Sequence, residues 1–330
     1  MLSTPSQASV SGVTRRLIAV AAVAALLAFG LAVPTASART ASASIASAST
    51  AVLPTPPALR TIEPLSKYVP SDSCDPRTKP GTAALAALLA KTYPDVIHYT
   101  VRPCDLSVSE HYDGRAIDWM ASVKDSAQYA DANALLRWLF ATDSYGNTYS
   151  NFRRLGVMYL VFNNRIFGSW DLKWLPYNNC ANQPGSAYDN ACHRTHVHIS
   201  LSWEGANKRT SFWTNARVGT DYGPCKPASL NWAGLHSAVR TTPCPSHRTL
   251  TAPTGASTLY KQVIAWSGAR AVLGDTGGAV AAVQRVIGVS ADGDFGPNTM
   301  AALKTWQGAH HIPATGTANQ VTWQTIMSVV

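Results

Sequence analysis

Apolar and polar positions along this chain follow two rhythms. TAALAALLAKTY (82–93) repeats its apolar residues at helical spacing. DSAQYADANALLRWLFAT (125–142) does the same, with Asp125 or Ser126 placed to cap its first turn. RAIDWMASV (115–123) and GVMYLVFNNRIF (156–167) read instead as strands, and Asn163-Asn164 can turn a hairpin between YLVF and RIF. VHISLSW (197–203) alternates most cleanly. Val197, Ile199 and Leu201 fall on one face, and His198, Ser200 and Ser202 on the other. Helices and strands do not alternate regularly. The expected fold is α+β, a small antiparallel sheet with flanking helices, and not a doubly wound parallel sheet.

Further along, Val280, Val283 and Ile287 keep helical spacing, as do Ala302, Leu303, Trp306 and Gln307. Between them lies ADGDFGPNT (291–299), a glycine-rich loop with Phe295 as its apolar plug and Pro297 suited to a first helical turn. A faint echo runs through this region: a Val-Gln or Trp-Gln pair, an apolar loop, then Asp-Gly or Thr-Gly. It predicts a small all-α domain of three helices over 263–330, built from a duplicated piece.

Composition changes the picture at the N-terminus. Arg15 and Arg16, with no acid nearby, precede an apolar run from Leu17 to Val33 and then Ala36-Ser37-Ala38. This is the pattern of a secretory signal peptide over 1–38, cut after Ala38. A retained membrane anchor is the alternative, for which the run is marginal in length. Twin-arginine export fits poorly after the arginine pair. Residues 39–60 are rich in Ala, Ser, Thr and Pro and are expected to be a disordered linker. The large domain is assigned to 61–248 and a second linker to 249–262. No other stretch can cross a bilayer, so the processed chain is expected to be soluble, extracellular and monomeric.

Cleavage lowers the net charge of +9 by the two of Arg15 and Arg16. A basic exported protein suits an anionic surface such as a cell wall, although charge for solubility alone reads the same way. Basic residues are scattered, so nucleic acid is not an expected partner. The six cysteines all lie in the large domain, and an even count in an exported chain implies disulfides. Sequence cannot select a pairing; neighbours are expected to join, as Cys74–Cys104, Cys180–Cys192 and Cys225–Cys244.

The candidate chemistry sits in HRTHVHIS (193–200). His196 and His198 are two apart on a strand and share a face. SEHYDGRAIDW (109–119) offers the complement, because a turn at Gly114 can bring His111 back over the strand carrying Asp118. Histidine and aspartate are zinc ligands. Three protein ligands with an open fourth position mark a catalytic site, and four mark a structural one.

Ser109, His111, Gly114, Ala116 and Asp118 fit S-x-H-x-x-G-x-A-x-D in order. With the later H-x-H, the stretch from about Ser107 to Trp203 resembles the Hedgehog/D-Ala-D-Ala-peptidase superfamily. The resemblance implies that His111, Asp118 and His198 bind Zn2+ and that His196 handles protons. Thr195 stands where the carboxypeptidase branch has a glutamate. The spacing H-x-x-H-x-H is instead similar to penicillin-insensitive murein endopeptidases, in which His193 would join His196 beside the metal; a solvated loop position is the other reading of His193. The strand also resembles an uncharacterised secreted group of actinobacteria and fungi. Arg115 can bind a substrate carboxylate, stack on Trp119 or face solvent.

Val283-Gln284, Asp292-Gly293, Phe295-Gly296-Pro297, Thr299, Trp306-Gln307, Gly316 and Thr322 resemble a peptidoglycan-binding domain family. The combined expectation is a secreted, wall-associated zinc peptidase that cuts cross-links or stems of peptidoglycan, endopeptidase favoured over carboxypeptidase. The alternative is a non-catalytic zinc-containing wall-binding protein.

Overall fold

A computed structural model describes residues 52–330. The expected signal peptide (1–38) and the linker up to residue 51 lie outside the described residues. The elements are α1 (Pro80–Thr92), β1 (His98–Tyr99), β2 (Ala116–Trp119), α2 (Ser126–Phe140), α3 (Ser150–Leu155), β3 (Val157–Phe162), β4 (Arg165–Gly168), β5 (Trp174–Pro176) and β6 (Val197–Leu201). Then follow α4 (Trp203–Ala206), α5 (Ser211–Thr214), α6 (Thr258–Trp266), α7 (Gly278–Ile287), α8 (Pro297–Ala309) and α9 (Gln320–Val329).

Six strands form one antiparallel sheet in the order β1-β2-β6-β3-β4-β5. One face packs on helices: Ile117, Trp119, Leu160, Val197, Ile199 and Leu201 share a core with Leu85 and Leu89 of α1, Leu135 and Leu139 of α2, and Phe152 of α3. Asp125 caps α2, its side chain accepting from the amides of Ala127 and Gln128. Asn163 and Asn164 both take positive φ, 48° and 67°, which a two-residue hairpin turn needs. All three neighbour disulfides are present.

Three expectations are corrected. The end of the first linker is ordered: Leu53 is buried in the core, and the carbonyls of Pro56 and Pro57 accept from the buried Arg154 guanidinium. The second linker ends in a helix, because α6 begins at Thr258 and runs on past residue 262. Its preceding stretch is also pinned, because Asn231 exchanges two hydrogen bonds with the backbone of Leu250. Finally, the small domain has a fourth helix, α6, packed in front of the expected three, and it borrows core from the large domain. Leu230 and Trp232 pack with Val263, Trp266 and Ala269, and the Trp232 and Trp266 rings stack at 5.8 Å.

The internal echo is a real duplication of contacts. Gln284 accepts from the amide of Gly293 and donates to Asp292, the carbonyl of Asp294 and Thr299. Gln307 accepts from the amide of Gly316 and donates to Thr315, the carbonyl of Thr317 and Thr322. Each buried amide ties one helix to the loop and helix after it. No helix among the described residues is long and apolar enough to cross a membrane.

Gln307 is fully buried. Gln307→Ala therefore strands the Gly316 amide and should lower stability by about 1–3 kcal/mol in urea melts. Gln320→Ala, at an exposed position, should change it by under about 0.5 kcal/mol.

Candidate metal centre

The sheet face opposite the helices carries the polar residues. In the antiparallel register, Asp118 of β2 lies directly opposite His198 of β6. His111 comes back over this pair on a 3-10 turn, Glu110–Asp113, that ends at Gly114 with φ 72°. A Cβ at Gly114 would also lie 1.9 Å from the carbonyl oxygen of Arg77, so glycine is required twice over. Ser109 caps the turn, accepting from the His111 amide. Among the described residues, His111, Asp118 and His198 are the one group whose ligand atoms converge, all within 4.8 Å of one another.

Hydrogen bonds fix which nitrogen each imidazole offers. His111 Nδ1 lies 3.1 Å from the Thr100 carbonyl, which only accepts. Nδ1 therefore carries the proton, and Nε2, buried and without a hydrogen-bond partner, presents its lone pair 3.0 Å from Asp118 Oδ1. His198 is set by a longer chain. Tyr159 and Ser200 (3.2 Å) both donate to Glu110 Oε2, so Ser200 Oγ accepts from His198 Nε2 at 2.8 Å. That leaves His198 Nδ1 as a lone pair 2.8 Å from Asp118 Oδ1. His196 follows the same logic. Thr195 donates to Asn190 and accepts from His196 Nδ1 at 3.0 Å, so Nε2 faces Asp118 Oδ1 from 3.5 Å.

With all three rings neutral, three imidazole lone pairs surround one carboxylate oxygen, an arrangement that a metal ion or added ring protons would relieve. Nitrogen and oxygen donors of this kind suit zinc. The residues fit a metal ion, and polar groups behind the imidazoles orient them as is usual around one. Asp118 is the open side of the site, its side chain 20% exposed.

Burial alone would raise the Asp118 carboxyl, but with protons on the His111 and His198 nitrogens that face it, their hydrogen bonds and charges outweigh burial and hold the group far below the usual carboxylate range; a bound cation would take the place of those protons. Burial lowers His196 from 6.5 to about 4 despite the attraction of Asp118. Burial, then the charges of His198 and His196, lowers His193 from 6.5 to about 2.

The expected residues all gather here, with different standings. His193 is not a solvated loop residue. Its backbone takes φ 53°, its Nδ1 is enclosed, and its ring packs 4.5 Å from His196 and 5.0 Å from Tyr177. The Cys180–Cys192 disulfide and a bond from the Asn163 amide to the His193 carbonyl hold it there. It makes no hydrogen bond to His196. Arg115 neither stacks on Trp119 nor faces solvent. It is buried, paired with Asp113 at 2.9 Å, and lies over Trp203 at 4.6 Å. Its guanidinium donates to the carbonyls of Leu201, Val69 and Pro70 and is closed off from solvent. Sequence reading missed Glu110, Ser200, Thr100 and Tyr159; only the polar face of VHISLSW pointed toward one of them.

Two family comparisons bear on this site. Residues 72–191 match the family described as VldE, C-terminal domain, which spans His111 and Asp118 but stops before His193. Residues 277–326 match the putative peptidoglycan binding domain. No curated protein and no solved structure matches the chain. The peptidoglycan-binding domain supports targeting to the cell wall and peptidoglycan as a partner; with the disulfides it points to an extracellular or wall location.

Two measurements follow. Ser200→Ala and Glu110→Gln should each weaken metal binding, probed with Zn2+ in competition with a chromogenic chelator, roughly 10–100-fold; unchanged affinity would mean that His198 does not depend on this chain. The lowered His193 and His196 values mean that the unfolded chain binds more protons below about 6.5. Stability of the chelator-treated protein should therefore fall as pH drops from 6.5 toward 4, and His193→Gln/His196→Gln should flatten that slope in thermal melts.

Proposed function

We propose that the chain is a wall-targeted zinc peptidase acting on the peptide cross-links or stems of peptidoglycan. The observation that carries this reading is the convergence of His111, Asp118 and His198, with a further neutral imidazole, His196, held beside them. Zinc held by His111, Asp118 and His198 would supply a water that ionises near neutral pH and would polarise a carbonyl. His196 Nε2, its lone pair fixed by the Thr195 bond, takes up a proton and returns it to the leaving amine. His193 holds the His196 ring by packing against it. Thr195, where the carboxypeptidase branch has a glutamate, orients the base and does not replace it, which favours endopeptidase action. The C-terminal domain concentrates the site at an insoluble polymer.

One observation favours a second reading. His196 Nε2 lies 3.5 Å from Asp118 Oδ1, outside the converging group of His111, Asp118 and His198 but near enough that a small shift of its ring would make it a fourth protein ligand. A closed site of that kind belongs to a non-catalytic zinc protein of the wall.

Incubation of the protein with intact sacculi separates the two. Release of un-crosslinked peptides, abolished by chelator and by His198→Ala, is the expected result. His196→Ala should keep stoichiometric zinc and lose turnover by at least about a hundredfold. Loss of zinc together with activity would make His196 a ligand and favour the second reading.

A further inference from the structure

Beside the metal centre runs a groove that the peptidase chemistry does not use. It is a shallow groove of about 470 Å³, open to solvent and lined by Tyr68, Tyr159, Ile166, Trp170 and Tyr177. That volume lies within the usual range of small-molecule clefts. The groove is continuous with the site at two points. The Tyr159 ring stacks on His198 at 5.5 Å, and Tyr177 meets His193 edge-on at 5.0 Å.

Its walls are built, not incidental. Trp170 and Tyr68 are 53% and 49% exposed, which is high for large aromatic rings. Yet each is held. The Trp170 ring lies over Gly168, where a Cβ would come within 2.2 Å of it. Tyr68 and Trp170 meet at 5.8 Å and 74°, and both lie 6.2 Å from Tyr159. Four rings surround the space, and no lining residue carries a charge.

From this geometry we infer that the groove is a subsite for a sugar ring of the glycan strand. The inference rests on the peptidoglycan reading above. A pyranose has an apolar C–H face that lies flat on an aromatic ring, and a polar rim that phenol and indole groups can meet. The stem peptide fits worse, because its residues are small, acidic or diamino and the groove has nothing to pair with their charges. The site would then grip sugar and peptide together, choosing stems still attached to glycan over free peptide.

The test is a titration of the full-length protein as isolated with N-acetylglucosaminyl-N-acetylmuramic acid methyl ester lacking a peptide, and separately with a sugar-free stem peptide. Any disaccharide binding by the C-terminal domain persists in every variant and serves as the baseline. Trp170→Ala should weaken the remaining disaccharide binding at least about tenfold, with peptide binding unchanged. Trp170→Phe, which keeps a flat ring, should retain most of it. Tyr68→Ala, on the other wall, gives an independent reading should Trp170→Ala lower the melting temperature. Unchanged disaccharide binding in both alanine variants overturns the proposal. So does loss confined to the peptide, which would make the groove a side-chain pocket. No turnover is needed, so sugar binding without cleavage of sacculi would sink only the peptidase reading. Cleavage that is indifferent to Trp170 and Tyr68 would sink only the subsite.

Discussion

The constraint on which the site depends is the aim of three imidazole lone pairs at one carboxylate oxygen. Neutral nitrogens and an anionic oxygen repel one another, so the gathering calls for positive charge between them, a metal ion or protons on the rings. Each orientation is held from behind, His111 by the Thr100 carbonyl, His198 by Ser200 and Glu110, and His196 by Thr195 and Asn190. None of the three can rotate its ring away without breaking one of these hydrogen bonds. The backbone serves the same end. The β2–β6 register sets Asp118 against His198, and Gly114 makes the turn that returns His111.

The arrangement also explains a sheet whose second face is polar yet covered. All five residues of β6 are buried. On a half-solvated sheet, Ser200 and His198 would face water. Here Glu110, Tyr159 and the turn above them supply partners, so the polar face becomes a second, hydrogen-bonded interior. Buried polar groups stay inexpensive only while every member is satisfied. Glu110 Oε1, buried without a partner, is the loose end of that network.

Much of this was legible beforehand. The alternation of VHISLSW placed His198 correctly, the spacing around Gly114 placed His111 and Asp118, and the paired asparagines marked their hairpin. The Val-Gln and Trp-Gln echo marked a duplication whose physical content is two buried glutamine amides. What escaped was set by distance in sequence. Glu110 meets Ser200 across 90 residues, and no local pattern encodes such a pair. Short elements escaped too: β1 has two residues and β5 three, too few for any period to register. The linkers were misread because proline and serine suggest mobility, whereas here the carbonyls of Pro56 and Pro57 serve as acceptors for a buried arginine. Arg115 was misread because a charged residue on a strand is ordinarily exposed, and Asp113 makes it an exception.

The stretch that joins the two halves has one more consequence. The amide of Ala233 bonds to the Asp72 carbonyl, while the amides of Asn231 and Trp232 bond to the Ser267 carbonyl. Trp232 further donates to Ala265, and Tyr112, the residue next to His111, shares the same buried cluster. A module on a loose string would let its companion sweep a sphere of positions. This one is welded. Under the wall-directed reading proposed above, the shape of this joint, not the length of a tether, sets what the histidine cluster can reach.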